Sequence, residues 1–225
     1  MRTAVTVVLC FFLFISSVHV QSFEKEPSEL PLPQPIFSAS VRNSLGDAVV
    51  VADSDPFYSI ISTSSACWYD TTTNVSGLLP LFVAHAGNLT DAQTRFLGSY
   101  FTPVNQTILV LGEPLTTAYP TRKILGPAPA VSLVLATELF VTAPAILILP
   151  YGTTEAYQLS LLAAPLASYL SMPILLFDEN DEEILAVCTQ LQSTHAFLVG
   201  SVSVQLPNIT TIALETEHAI TDAVL

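Results

Sequence analysis

The side chains best placed to bind a ligand follow predicted β-strands. His85 comes directly after the apolar run Leu81–Ala84, and Asp178 holds the matching place after Pro173–Phe177. Open α/β sheets bind their ligands at the carboxyl ends of their strands. An imidazole or a carboxylate there can contact a ligand or a cation, although a solvated loop residue or a helix cap is the alternative. We therefore treat His85 and Asp178 as candidate ligand-binding residues.

The densest charge in the chain is the acidic run at residues 178–183, Asp-Glu-Asn-Asp-Glu-Glu. Several carboxylates beside a strand end could collect Ca²⁺, but the spacing and the glycine of a calcium-binding loop are missing. Acids in the first turn of a helix also complement its positive end, and the sequence favours this structural role. We predict no metal site.

Sequence motifs for catalysis are absent. Gly200-Ser-Val-Ser203 lacks the closing glycine of a hydrolase nucleophile elbow. The eight glycines form neither a dinucleotide-binding fingerprint nor a phosphate-binding loop. We therefore predict no catalytic residues, no cofactor and no enzymatic activity.

The composition is apolar and acidic. Hydrophobic residues make up 51% of the chain and charged residues 11%, which is too apolar for a disordered protein. The formal net charge of −13 argues against nucleic acid as a partner, because phosphate binding needs clustered cations. Apolar exterior would be covered by another subunit, as in a homo-oligomer, or by glycan on four sequons at Asn74, Asn88, Asn105 and Asn208.

The first residues predict export. Residues 1–22 have a positive start, an apolar run and small residues suited to cleavage, which is typical of a signal peptide. Residues 23–44 contain a proline-rich linker. No later stretch is apolar enough to span a membrane, so we predict a secreted, extracellular or cell-surface protein. Cys67 and Cys188 allow a disulfide, but two separate buried thiols are favoured.

The chain contains a repeat about ninety residues long. Ala48–Asp53 is echoed by Ala145–Pro150, and Thr107–Gly112 is echoed by His195–Gly200. A unit of this length is a small α/β layer of its own. We predict one repeat at 45–140, and a second at 141–225 that includes the start of a third unit.

Apolar runs alternate with segments of helical spacing. Continuous apolar runs indicate burial on both faces, as in parallel sheets between helices. We predict an α/β fold with tandem flavodoxin- or Rossmann-like repeats, mainly parallel sheets and helices on both faces. The predicted strands are Ala48–Ala52, Leu81–Ala84, Thr107–Leu111, Arg122–Leu125, Ala145–Leu149, Pro173–Phe177, Ala196–Val199 and Ile209–Ala213. The predicted helices are Pro56–Asp70, Asp91–Tyr100, Pro129–Phe140, Thr154–Leu170, Asp181–Gln192 and Thr216–Leu225.

One stretch resembles a known family. Residues 159–176 read Leu-Ser-Leu-Leu-Ala-Ala-Pro-Leu-Ala-Ser-Tyr-Leu-Ser-Met-Pro-Ile-Leu-Leu, and Ala196–Gly200 ends a second strand in Val-Gly. This order is similar to the cell wall-binding repeat 2 family, in which a helix with "A-S-P-L-A" leads to an "A-P-I-L-L" strand. The family's "D-R-Y" segment is missing here.

The resemblance implies a non-catalytic module that attaches an exported protein to envelope polysaccharide or another surface glycan. It also implies that Ile174, Leu175 and Leu176 contact the polymer, whereas a continuous apolar triplet is on physical grounds a buried strand. Because this chain is acidic, an anionic polymer would be repelled. Binding would then need a local cation, a bridging metal ion or a neutral glycan.

Two other classes of function remain as alternatives. A periplasmic-binding-protein-like receptor for a small ligand also has duplicated α/β lobes, and His85 and Asp178 would then face one cleft. A secreted α/β hydrolase would need a nucleophile, base and acid that the sequence does not bring together.

Overall fold

The computed structural model describes residues 40–70, 75–102 and 104–224. They belong to one compact unit that spans Pro35–Leu225. The predicted signal peptide lies outside the described residues, as do residues 23–39 of the predicted linker. Within the described part, the strands are β1 (Val41–Arg42), β2 (Ala48–Ala52), β3 (Cys67–Asp70), β4 (Val75–Leu78), β5 (Leu81–Ala84), β6 (Ile108–Gly112), β7 (Thr121–Leu125), β8 (Phe140–Thr142), β9 (Ala145–Pro150), β10 (Ile174–Phe177), β11 (His195–Val199) and β12 (Thr210–Leu214). The helices are α1 (Phe57–Ala66), α2 (Asp91–Tyr100), α3 (Ala128–Leu139), α4 (Thr154–Tyr169), α5 (Asp181–Gln190) and α6 (Glu217–Val224).

Two parallel four-stranded sheets form the framework. The first has the order β5-β2-β6-β7 and the second the order β10-β9-β11-β12. Both sheets therefore place their strands in the same order along the chain: second, first, third and fourth. The α/β fold class is confirmed, and the shared order confirms that the repeat is a repeat of topology.

The eight predicted strands are all present, with ends within two residues of those predicted. The central strands β2 and β6 are buried along their whole length, and β9 is buried except at Pro150, because helices cover both faces. The predicted helix Pro56–Asp70 is wrong at its end, since α1 stops at Ala66. Residues 67–70 instead form β3, which pairs with β4 as an antiparallel hairpin.

The hairpin depends on a glycine. Trp68 lies opposite Gly77 in the β3–β4 register. A Cβ atom at Gly77 would lie 1.9 Å from the indole ring, so only glycine lets Trp68 fold across the neighbouring strand. This close approach favours the hairpin over a longer helix.

The buried face of α4 is not the one that the apolar spacing predicts. That spacing places Tyr157, Leu161, Leu162, Pro165, Leu166 and Tyr169 on one face. Leu161, Leu162 and Tyr169 are exposed, and the buried residues are Ala156, Ser160, Ala163, Ala164, Leu166 and Ala167. Small side chains let α4 approach β9, α1 and α6 closely, because the helix is packed on several sides.

The two halves share one hydrophobic core. Helices α1 and α3 cover one face of the first sheet and also pack against β10 of the second. Ser132 of α3 is fully buried, and its hydroxyl accepts a hydrogen bond of 3.1 Å from the Leu176 amide at the edge of β10. A smaller apolar cluster, centred on Leu97 of α2, covers the other face of the first sheet.

Candidate functional site

A crevice opens at the carboxyl edge of the second sheet. Its volume is about 580 Å³, and its lining includes Pro150 at the end of β9, Gly200 after β11 and Glu215 after β12. The chain leaves β9 toward β10 on one side and later returns to β11 on the other, so the crevice lies where the strand order reverses. This reversal point is where open α/β sheets bind ligands.

The helix start beside the crevice is well defined. Thr153 caps α4, and its side chain accepts a hydrogen bond of 3.0 Å from the Ala156 amide. Glu155 follows in the first turn, where its carboxylate suits the positive end of the helix. Capping fixes the direction of α4, and it places Glu155 at the rim of the crevice.

The lining of the crevice is polar and acidic. It carries the carboxylates of Glu155 and Glu215 and the hydroxyls of Thr153, Ser201 and Ser203, with no lysine or arginine. Carboxylates accept hydrogen bonds, and hydroxyls both donate and accept them. The crevice can therefore bind a ligand rich in hydroxyl groups, while an anionic ligand would meet two negative charges.

The corresponding place in the first sheet is filled. Tyr58 of α1 is 5% exposed, and its hydroxyl donates a hydrogen bond of 2.6 Å to the carbonyl oxygen of Gly126. A Cβ atom at Gly112 would lie 2.7 Å from the Tyr58 ring, so this glycine lets the ring cross the end of β6. Tyr58 therefore fills this point of the first sheet.

The structure places His85 beside Asp53, at the carboxyl edge of the first sheet. The imidazole Nδ1 donates a hydrogen bond to Asp53, whose other carboxylate oxygen accepts one of 3.3 Å from the Ala86 amide. The bond from His85 is the main reason that the pKa of Asp53 lies below its ordinary value. The His85 side chain is 86% exposed.

Such a pair has the arrangement of a general base with an orienting acid. Within the described residues, His85 hydrogen-bonds to no serine, threonine or cysteine side chain. The pair therefore has no nucleophile held against it.

Asp178 is exposed, and it lies at a turn that leads into α5. Its amide donates a hydrogen bond of 2.9 Å to the side chain of Asn180. Asp181, Glu182 and Glu183 occupy the first turn of α5, so the prediction that they complement the helix end is confirmed in position. Across residues 40–70, 75–102 and 104–224, no group of three acidic, histidine or cysteine residues is arranged to hold a metal ion.

His85 and Asp178 have different neighbours. His85 is bonded to Asp53, whereas the charge of Asp178 acts on Tyr151. The 580 Å³ crevice is lined by the second half of the chain and includes neither residue. The ligand-binding role predicted for these two residues stays a prediction.

The triplet Ile174, Leu175 and Leu176 forms β10 and is buried, with exposures of 3%, 0% and 0%. It packs against α3 of the first half. Contact between these side chains and a polymer would require α3 to leave the strand, so polymer binding by the triplet also stays a prediction.

A tyrosine joins the two halves near their carboxyl edges. The Tyr151 hydroxyl, after β9, donates a hydrogen bond of 2.7 Å to Asp55, which also accepts one of 2.9 Å from the Phe57 amide at the start of α1. The bond to Asp55, with burial and nearby negative charge, raises the pKa of Tyr151 to about 12. Asp55 thus accepts one hydrogen bond at the start of α1 and one from the other copy of the repeat.

Three of the four predicted glycosylation sites lie within the described residues. Asn88, Asn105 and Asn208 are exposed, which sugar attachment requires, and Asn74 lies outside the described residues.

Cys67 and Cys188 are free thiols, so the preference for separate thiols is confirmed. The expectation that both are buried is wrong for Cys67, which lies exposed in the hairpin. Burial raises the pKa of Cys188 to about 11.

Comparison of the chain with protein-family models, with characterised proteins and with solved structures finds no match. The resemblance to the cell wall-binding repeat 2 family therefore stays a prediction. None of the described helices combines the length and apolar character needed to span a bilayer.

The crevice residues Glu155, Ser201 and Glu215 are not among the sites predicted from sequence. Their signal was available: Gly200 ends an apolar strand of the second repeat, and the loops after such strands form the carboxyl edge. A histidine and the densest acidic run point to His85 and Asp178 instead, because isolated serines and glutamates have no distinctive spacing.

Proposed function

We propose that this chain is an exported, non-catalytic binding protein that attaches to envelope polysaccharide or another surface glycan through the crevice of its second sheet. The observation that carries the proposal is an open, hydroxyl- and carboxylate-lined crevice at the reversal point of a parallel sheet. Its volume suits one or two sugar residues, since small-molecule sites measure about 300–1,000 Å³.

The charge of the crevice indicates which glycan it binds. Glu155 and Glu215 would accept hydrogen bonds from sugar hydroxyls, and Thr153, Ser201 and Ser203 would complete the polar lining. At the crevice itself, an anionic polymer would be repelled by the two carboxylates. We therefore propose a neutral glycan, and we place the contact at the crevice rather than at the buried strand β10.

The test is a pull-down of the protein on purified envelope polysaccharide, split into neutral and anionic fractions, with and without Ca²⁺. We expect retention on the neutral fraction without Ca²⁺. The double variant Glu155→Gln with Glu215→Gln should bind at least about tenfold more weakly, because hydrogen bonds to charged groups contribute roughly 1.5–3 kcal/mol.

The matched control is Glu113→Gln, which follows β6 at the closed edge of the first sheet as Ser201 follows β11 at the open edge. This control should bind like the unchanged protein. Failure of the protein to bind either fraction, with or without Ca²⁺, would exclude the proposed function. Equal binding by the double variant would exclude the crevice as the site.

A further inference from the structure

Two further cavities lie beside Arg42 of β1, near the amino edge of the first sheet. Arg42 lines two cavities, one of about 350 Å³ and one of about 200 Å³, and Trp68 lines both with it. These cavities are separate from the acidic crevice, with which they share no lining residue. In an acidic chain, a cavity built around an arginine points to a ligand of opposite charge.

Aromatic rings hold the guanidinium in place. Its central carbon lies 4.3 Å from the centre of the Trp68 ring and 5.2 Å from the centre of the Phe140 ring, both within the range of a cation–π contact. Trp68 is itself fixed against Gly77 of the hairpin. Arg42 Nη1 also donates a long hydrogen bond of 3.4 Å to the hydroxyl of Ser171, just beyond the negative end of α4.

Among the described residues, no carboxylate forms an ion pair with this arginine. The ion pairs formed within residues 40–70, 75–102 and 104–224 join His85 to Asp53, Arg122 to Glu138 and His218 to Asp222, and none includes Arg42. A half-buried charge without a counter-ion is costly. Burial accordingly lowers the pKa of Arg42 to about 10, which still leaves it cationic at neutral pH. An incoming carboxylate would offset that cost, and arginine binds carboxylates in a bidentate manner.

The remaining polar groups define the rest of the ligand. The larger cavity is also lined by Asn43, Ser44 and Ser65. Asn43 already donates to the carbonyl oxygen of Glu138, and Ser65 to that of Ser62, but their side-chain oxygens can still accept a hydrogen bond from a hydroxyl group. Acids face each cavity too. Asp47 lines the larger one and accepts a hydrogen bond of 2.8 Å from the Thr107 amide, while Asp70 lines the smaller one and has an interaction of its own.

We propose that the larger of the two cavities beside Arg42 binds a hydroxylated carboxylate with the chemistry of a uronic acid. The carboxylate would form a charge-assisted hydrogen bond with the guanidinium. This site does not depend on the proposed function of the acidic crevice. The carboxylate can come from a free sugar acid or from a uronic-acid residue within a polysaccharide.

Trp68 offers a direct readout, because it is the chain's single tryptophan and lies against Arg42. We would titrate the protein with D-glucuronate, with D-glucose and with an oligomer of glucuronate while following tryptophan fluorescence. The proposal expects a saturable change with glucuronate or its oligomer and none with glucose. Binding of the monosaccharide indicates a free sugar acid, and binding of the oligomer alone indicates a polysaccharide.

The variants decide whether Arg42 is responsible. Arg42→Gln should weaken binding at least about tenfold, and Arg42→Lys should weaken it less, since it keeps the charge but loses the planar fork. Arg95→Gln, on the exposed face of α2, is the control and should bind normally. Thermal melting of each variant establishes that it is folded.

The proposal is overturned if neither acid changes the fluorescence, if glucose gives the same change, or if folded Arg42→Gln binds like the unchanged protein. The crevice variant Glu155→Gln with Glu215→Gln should still bind glucuronate, and Arg42→Gln should still bind neutral polysaccharide. Failure of one site is thereby distinguished from failure of the other.

Discussion

The two sheets have the same strand order, but one carboxyl edge is filled by a side chain and the other is open. In the first sheet the reversal point is closed by Tyr58, whereas in the second it opens into a 580 Å³ crevice beside Glu155. The offset that relates Ala48 to Ala145 also relates Tyr58 to Glu155. One residue in the first turn of the following helix therefore separates a packed edge from an open one.

This difference shows how a duplicated unit divides its roles. The tyrosine adds apolar burial and a hydrogen bond to the first sheet, which also supplies α1 and α3 to the shared core. The glutamate adds little packing but leaves polar groups facing solvent. At this edge the first copy therefore gains packing, whereas the second copy keeps a polar surface open to solvent.

The strongest test of this comparison removes the tyrosine. Tyr58→Ala should lower the free energy of unfolding by about 3–5 kcal/mol, as truncation of a buried aromatic residue does. Tyr58→Phe keeps the ring and loses only the bond to Gly126, so it should cost about 1 kcal/mol. Urea denaturation measures both values.

Glu155→Ala is the matched variant at the open edge. It is exposed, so the free energy of unfolding should change by no more than about 0.5 kcal/mol. Similar losses at Tyr58 and Glu155 would contradict the division of roles between the two edges.

A smaller effect is expected where the edges meet, at Asp55. Asp55→Ala removes the acceptor of the hydrogen bonds from the Phe57 amide and the Tyr151 hydroxyl, which should lower the free energy of unfolding by about 1–2 kcal/mol. Asp178→Ala, at an exposed position after β10, is the control and should change it by no more than about 0.5 kcal/mol. Equal effects would show that the Asp55–Tyr151 bond does not join the halves.

The same bond also predicts a pH dependence. The pKa of Tyr151 is raised from 10.0 to about 12, so the folded state holds this proton more tightly than the unfolded state does. The stabilisation is complete below pH 10 and is lost as the pH rises from 10 to 12. Ultraviolet titration of Asp55→Ala should show one tyrosine returning toward its ordinary pKa, and Tyr151→Phe identifies which one.

The smallest effect concerns the exposed pair at the closed edge. His85→Ala should raise the pKa of Asp53 toward its ordinary value of 3.8, because the bond from His85 is the main cause of the lowering. For a depressed carboxyl pKa, the stabilisation is present above that ordinary value and is lost as the pH falls through the folded-state pKa. Carbon-13 NMR of the carboxyl groups measures the shift, and an unchanged pKa of Asp53 would show that the pair is not formed in solution.

Much of the fold could be predicted because burial on both sheet faces leaves a simple mark. Runs such as Ala48–Ala52 and Ala145–Leu149 are apolar throughout, and the strands begin and end close to where these apolar runs do. The hairpin β3–β4 was missed because its cause is a contact between Trp68 and Gly77, which the helical spacing of the preceding residues does not reveal.

The candidate sites could be predicted only in part. Sequence order indicates which loops reach the carboxyl edge, and so it points to His85 and Asp178. It does not reveal that Tyr58 folds over Gly112 or that Glu155 leaves its edge open. Arg42 lies within the segment that composition assigns to a linker, and only its contacts with Trp68 and Phe140 identify its cavity.

The hydrogen bond between Ser132 and the Leu176 amide makes the second copy depend on the first. A strand at the border of a sheet is prone to join foreign strands unless something shields it. Here Ser132, in the first copy, covers the Leu176 amide at the border of the second sheet. Removal of the first copy would therefore expose this border of the second sheet to other chains.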